Sequence, residues 1–446
     1  MFMCAQYRAV MRSSLALWLL TFVTFADDWP QWMGPKRDSE WRETGLLETF
    51  PADGAKILWR TPINSGYSGP AVLKGQVFVM DFVATAGTSN LDFNNRDRRT
   101  GKERVLCLDA TTGKEKWKFE YDCQYNMSYA TGPRCTPTVA DGKVYALGAE
   151  GHLNCLNAAN GKLHWSHDLK QEYKAETPMW GFCGHPLVEG KRLFCLVGGE
   201  GSVAVAFDKD SGKEVWRALS ARESGYCPPT MIEFGGKRQL LIWHAEAINS
   251  LHPNTGKVYW SVPCVPSYGM SIAAPRSLGN LLYVSGIRDV SLVLRLAADR
   301  PMAEEVWRGD NTMAVNCSNS TPFLQDGMVY GTDCNSGHLR CVKLATGERV
   351  WETLVPTSGG ERRAPHGTAF IVKQGDRFVL FSETGHLILA HLTPQGYQEM
   401  SRAKILEPTG RAFGREVVWS HPAFANRCAY VRNDKEIVCV SMAAEK

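Results

Sequence analysis

The chain has 446 residues, 44% of them hydrophobic and 22% charged, a globular composition with material for a sizeable core. Its 50 basic and 46 acidic residues leave a net charge of +4 with no long basic stripe, which argues against nucleic acid as a partner. The compositional excesses are 14 tryptophans and 41 glycines against 22 prolines, and a repeat explains both.

The chain opens as an export signal. Arg8 and Arg12 precede a short apolar core from Ser14 to Phe25, and Thr24 and Ala26 suit cleavage near Ala26. Residues 1–26 are therefore expected to be a signal peptide, with the mature protein periplasmic or secreted. An uncleaved anchor is the alternative reading. Cys4 lies before the apolar core, so no lipid anchor is expected, and no later run approaches the length of a membrane span. Residues 27–55 read as an N-terminal extension and 56–446 as one repeat domain.

The first strand signal is K-I-L-W-R around Trp59. After a strand-like run at Val77 to Asp81 comes a polar insertion, Thr85 to Arg104, which reads as a solvated loop; it lacks the spacing of an EF-hand. A phrase then begins to recur. It is L-C-L-D-A-T-T-G-K-E-K-W at Leu106–Trp117 and N-C-L-N-A-A-N-G-K-L-H-W at Asn154–Trp165. It returns as V-A-F-D-K-D-S-G-K-E-V-W at Val205–Trp216 and N-S-L-H-P-N-T-G-K-V-Y-W at Asn249–Trp260. A degenerate copy ends at Trp307, a clear one at Trp351, and the last places Met400 in the tryptophan slot. The intervals, 44 to 58 residues, are those of propeller blades.

Within each phrase, alternation marks a strand, glycine permits a hairpin turn, and tryptophan on the next strand can pack across to a neighbouring sheet. A small residue stands six places before the turn glycine at Cys107, Cys155, Ala206, Ser250, Cys341 and Ala390, with Cys439 equivalent in the last strand. These cysteines read as small fillers between sheets. The C-terminus supplies only three strands for its unit, and the missing fourth is the strand of Trp59 at the other end. The expected fold is all-β: an eight-bladed β-propeller of four-stranded antiparallel blades, its ring closed by pairing the N-terminal strand with the C-terminal blade. Trp59, Trp117, Trp165, Trp216, Trp260, Trp307 and Trp351 are the expected blade-docking residues, and a monomer is expected.

The phrase D-A-T-T-G-K-E-K-W resembles the pyrroloquinoline-quinone (PQQ) type of propeller repeat, over nearly all of the mature chain. D-W-P-Q-W-M-G-P at Asp28–Pro35 and W-G-F-C-G-H-P-L-V at Trp180–Val188 are similar to exported propellers of planctomycete-type bacteria. The resemblance implies one of two functions. One is a quinoprotein dehydrogenase binding PQQ and calcium in the central funnel. The other is a non-enzymatic envelope scaffold like BamB. The dehydrogenase pattern implies adjacent cysteines and a carboxylate–amide ligand set, and the sequence has no Cys-Cys pair. No cofactor is therefore expected, with PQQ and calcium as the alternative. No catalytic, cofactor-binding or metal residues are assigned, and the expected partner is an envelope protein or a polysaccharide.

The segments entering each innermost strand should line the funnel. Their candidate ligand-binding residues are Tyr129, Arg134, Trp180, His185, Tyr226, Tyr268, Asn316, Arg363, His366, Trp419 and His421. A carbohydrate-active propeller enzyme is a further alternative and would need a carboxylate pair in the funnel; Glu176, Asp310 and Glu416 are the plausible funnel carboxylates, although Asp310-Asn311 also reads as a turn. His152, His338 and His386 follow glycines and read as turn residues.

Overall fold

The computed structural model describes residue 1, residues 28–360 and residues 362–444. The export signal falls outside the described residues, except for Met1. Among the described residues no helix is long and apolar enough to cross a membrane.

Eight four-stranded antiparallel sheets form the ring. Blade 1 spans residues 71–127, blade 2 138–168, blade 3 187–218, blade 4 230–263, blade 5 276–309, blade 6 323–353 and blade 7 369–404. Blade 8 joins three C-terminal strands, residues 423–441, to the N-terminal strand Ile57–Pro62, with Trp59 opposite Cys439. This pairing gives blade 8 its fourth strand and so closes the ring, while each blade keeps a short inner edge strand facing the bore.

The repeat phrase has a contact behind each of its letters. The indole nitrogen of Trp59 donates to Ala110 O at 2.9 Å, that of Trp117 to Ala158 O at 3.0 Å, and that of Trp165 to Lys209 O at 3.2 Å. Trp216, Trp307 and Trp351 repeat the bond onto Pro253, Leu344 and Thr393. Each accepting carbonyl belongs to the turn of the next blade. The turn glycine lies directly under the indole: a Cβ on Gly161 would stand 2.5 Å from Trp117, and one on Gly256 would stand 2.6 Å from Trp216. Glycine is thus required twice, for its positive φ and for the ring that covers it. Trp260 departs from the pattern and donates to the Gln239 side chain at 3.0 Å, because blade 5 carries the degenerate turn.

The small residues Cys107, Cys155, Cys341 and Cys439 are fully buried between sheets, and all thirteen cysteines from Cys107 to Cys439 are free thiols. Burial pushes the thiols of Cys107 and Cys155 up to about 12, which makes them inert packing groups.

Two segments depart from the repeat. The insertion in blade 1 is no solvated loop. Gln76–Ala86, Asp97–Asp109 and Glu115–Met127 run on as a three-stranded ribbon with only the tip, residues 87–96, outside the strands. One face of the ribbon is buried through Phe82, Glu103, Cys123, Tyr125 and Met127. Its polar composition hid the alternation because one inward position is a carboxylate satisfied by tyrosines.

The second segment is the extension after residue 28, which crosses the bore. Trp29 exchanges backbone bonds with Val72 of blade 1, and Pro30 O accepts from Val139 of blade 2. Arg37 donates to the carbonyls of Pro186 and Pro229 in front of blades 3 and 4, and Arg276 of blade 5 donates to Arg37 O and Asp38 O. Lys373 of blade 7 then pairs with Ser39 and Trp41. The segment touches the inner strands, or the residues leading into them, around most of the ring.

Candidate functional site

The bore holds a chamber of about 170 Å³ that is partly open to solvent. Eight of the eleven residues expected in the funnel line it: Tyr129, Arg134, Trp180, His185, Tyr226, His366, Trp419 and His421. They converge because each sits just before an innermost strand, the part of every blade nearest the axis.

Tyr268, Asn316 and Arg363 do not line the chamber. Tyr268 is 50% exposed on a short turn at the rim, where Arg288 lies over its ring. Asn316 is fully buried as a brace: its amide donates to Arg288 O at 2.7 Å and Asp310 O at 3.0 Å, and its oxygen accepts from Ser291. Arg363 is exposed in the loop before His366. Blade 6 instead faces the chamber with Asn319, Ser320 and Thr321. Glu176, Asp310 and Glu416 are likewise exposed outside the chamber, and Asp310 caps a turn through Thr312 and Met313.

Three aromatic residues outside the candidate set narrow the chamber at its ends. Trp32, from the extension, stacks on His185 at 4.9 Å and donates its indole N–H to His421 Nε2 at 3.2 Å. At the opposite end Phe93, from the ribbon tip, packs against Trp180 at 4.9 Å and edge-on to Tyr268 at 5.3 Å. Phe413, at the tip of the hairpin Gly410–Ala412 and Arg415–Val417, stacks on His366 at 4.7 Å. The signals were present in the sequence. Three tryptophans within residues 29–41 are too apolar for a solvated tail, and one phenylalanine stands alone in N-L-D-F-N-N.

The polar groups of the chamber are mostly committed. Arg134 stacks over Tyr67 at 5.3 Å and donates to the carbonyls of Ser128, Tyr129 and Gly132, which commits three of its five N–H groups. Burial pushes the Tyr67 phenol up to about 12, with Asp434 adding to the effect. Trp419 donates to Glu383, whose carboxyl is raised by burial against the opposing pull of Arg415. The Tyr226 hydroxyl is buried, and its ring packs edge-on to Trp180 at 5.7 Å.

His185 and His421 approach to 6.0 Å between ring centroids, while His366 stays with Phe413 at the other end. The three histidines therefore form no common metal site. His185 Nδ1 already accepts from Thr136 N at 2.8 Å. Burial drives His185 well below the usual imidazole range, with His421 and Arg37 adding to it; burial alone takes His421 down to about 3. His366 falls to about 4 through burial, then Arg415 and Arg288. All three are neutral near pH 7.

PQQ and calcium do not fit this chamber. Calcium takes six to eight oxygen ligands, carboxylates foremost, and no carboxylate is among the residues lining the chamber. Arg134, the one permanent cation there, is already bound to backbone carbonyls. A volume of about 170 Å³ is near that of a cavity holding one benzene ring, and below the roughly 300–1,000 Å³ of pockets for larger ligands.

A family profile described as outer membrane protein assembly factor BamB matches residues 101–353. BamB of Yersinia pestis is 22% identical over 258 residues, covering 55% of this chain and 63% of that protein. The quinohemoprotein alcohol dehydrogenase ADH-IIG of Pseudomonas putida is 31% identical over 134 residues, 28% of this chain and 18% of the dehydrogenase. The matches thus span less than two thirds of either relative. Among solved structures, BamB from Moraxella catarrhalis superposes with a TM-score of 0.55 at 16% identity, covering 87% of this chain and 99% of that one. Quinohemoprotein alcohol dehydrogenase from Comamonas testosteroni gives a TM-score of 0.59 at 14% identity, covering 94% and 81%. At these identities the likeness shows the fold alone.

Proposed function

Because the chain belongs to the family described as outer membrane protein assembly factor BamB, we propose that it is a non-catalytic binding scaffold of the cell envelope, periplasmic or secreted. One observation carries this reading. The bore, where a propeller enzyme would hold its cofactor, is narrowed to about 170 Å³ by the chain's own aromatic residues, Trp32 at one end and Phe93 with Phe413 at the other.

Narrowing the bore moves the recognition surface to the rim. Phe413 is 46% exposed and Tyr268 50% exposed, and the half-buried Phe93 packs against both. With Arg288 against Tyr268, this rim offers flat apolar faces beside hydrogen-bond donors. Such a surface suits an envelope protein or the apolar face of a sugar ring.

The test has two arms. Titration with PQQ and calcium, read by thermal shift, should leave the melting temperature unchanged; a saturable rise would overturn the reading in favour of a quinoprotein. Solubilised envelope proteins and cell-wall glycans should then be retained by the immobilised mature chain and lost from a triple variant, Phe93→Ala, Tyr268→Ala and Phe413→Ala. Equal retention by both would remove the rim from the proposal.

A further inference from the structure

We propose that Glu103, Cys123 and one imidazole nitrogen of His152 form a zinc-type divalent metal site that fastens the ribbon of blade 1 to blade 2. The ligand atoms of these residues lie within 4.8 Å of one another. The strand register places two of them together. Glu103 stands opposite Tyr121 and Cys123 opposite Gly101, so the carboxylate and the thiol are diagonal neighbours on one face of the ribbon. His152 is delivered from the adjacent blade by a tight turn in which Gly148 N donates to His152 O at 2.8 Å.

Charge and valence agree on a cation. A Cβ on Gly148 would come within 2.0 Å of Glu103 Oε2 and 2.3 Å of the Tyr121 hydroxyl, so only glycine makes room for the carboxylate at this spot. Gly148 lacks the positive φ that accounts for most turn glycines here, which leaves space as its reason. Glu103 is fully buried and its donors are all neutral: Tyr121, Tyr125 at 2.5 Å and Ala149 N at 2.9 Å. The nearby ammonium of Lys170 is taken by a second buried carboxylate, Glu150. A buried carboxylate with no cation is costly, and a divalent ion would relieve it. His152 Nδ1 is buried with no hydrogen-bond partner.

The donor set selects the class of metal. Calcium and magnesium prefer oxygen alone, whereas one sulfur, one nitrogen and one oxygen suit zinc or cobalt(II). On binding, the Cys123 thiol gives up its proton to solvent. A 2+ ion with one thiolate, one carboxylate and one neutral imidazole is then uncharged overall, as a buried site requires. Bond lengths of about 2.0–2.3 Å put tetrahedral ligands roughly 3.3–3.8 Å apart, so each pair of ligand atoms closes in by at most about 1–1.5 Å. The inference is independent of which partner the propeller binds.

The test uses the full mature chain, freed of metal by a chelator and titrated with cobalt(II). One equivalent should produce visible bands of a tetrahedral ion and a thiolate-to-cobalt band in the near ultraviolet. Cys123→Ser should abolish the near-ultraviolet band, while Cys195→Ser, a buried thiol elsewhere, should keep it. Zinc at a hundredfold excess over Kd should raise the melting temperature of the wild type by about 3 °C and leave Cys123→Ser unmoved. If Cys123→Ser fails to fold, His152→Gln, at the half-buried start of the strand His152–Asn157, decides by weakening cobalt binding at least about tenfold, a loss of about 1.4 kcal/mol. Absence of the charge-transfer band in folded wild type, or its survival in both variants, would overturn the site.

Discussion

Trp32 and Phe93 both place an aromatic ring at an end of the central chamber, yet the chain holds them in opposite ways. Trp32 is 4% exposed, stacked on one histidine and hydrogen-bonded to another. The residues on either side of it are tied by backbone and guanidinium bonds to blades 1 to 5. The Phe93 side chain makes only ring contacts, at 4.9 to 6.4 Å, its carbonyl accepts from Ser128 at 3.4 Å, and its tip is anchored by Ser128, Asp97 and Arg96. The difference teaches that one end is part of the cooperative core while the other belongs to the low-stability fraction of the molecule, able to open without unfolding.

Removing the plug should have the largest effect. Trp32→Ala loses a buried indole and leaves His421 Nε2 without its donor. The expected cost is about 3–5 kcal/mol, measured as a fall in the urea midpoint. A loss under about 1 kcal/mol would mean that the extension merely lies in the bore, and the contrast with Phe93 would collapse.

Acid should also act on the plugged end. His185 and His421 are held neutral with pKa values depressed in the folded state, His421 to about 3. Below the unfolded value of about 6.5 the unfolded chain binds protons that the folded one refuses. The stability these groups contribute is therefore complete above pH 6.5 and is lost as pH falls toward 3. The slope approaches about 1.4 kcal/mol per pH unit for each such histidine. Urea midpoints at pH 7.5 and 5.0 measure the loss, and His421→Gln should flatten it. An unchanged slope in that variant would place the acid sensitivity elsewhere.

How much of this was legible follows from where each signal is written. The docking tryptophans, the turn glycines and the small buried positions recur because each blade solves the same contact with its neighbour, so the repeat phrase is a contact map in miniature. Tyr129, Trp180, His185, Tyr226, Trp419 and His421 were legible for the same reason: position within the repeat sets distance from the axis. The rule slips in blade 6 although its repeat phrase is clear: the chamber-facing residues are Asn319 to Thr321, not Asn316, which braces the loop instead. Trp32, Phe93 and Phe413 lie outside the repeats, and nothing in local periodicity says which non-repeating segment crosses the axis. The cluster of Glu103, Cys123 and His152 was hidden too, because its third member reads as a turn residue until two blades are placed side by side.

The smallest effect on stability should come from Phe93→Ala, and it is the one that sharpens the contrast most. The ring is half-buried, and no hydrogen bond depends on it. Truncation should cost no more than about 1 kcal/mol, less than the roughly 3–5 expected when a phenylalanine is lost from a core. The chamber behind it is apolar and sized for about one aromatic ring. A small probe such as indole, followed by quenching of the tryptophans that face the chamber, should therefore enter the variant about tenfold faster than the wild type. Its affinity should change less, because the lining residues behind the lid stay in place. If entry rates are equal while Trp32→Ala speeds entry instead, the two ends exchange roles, and the gate is the extension rather than the ribbon.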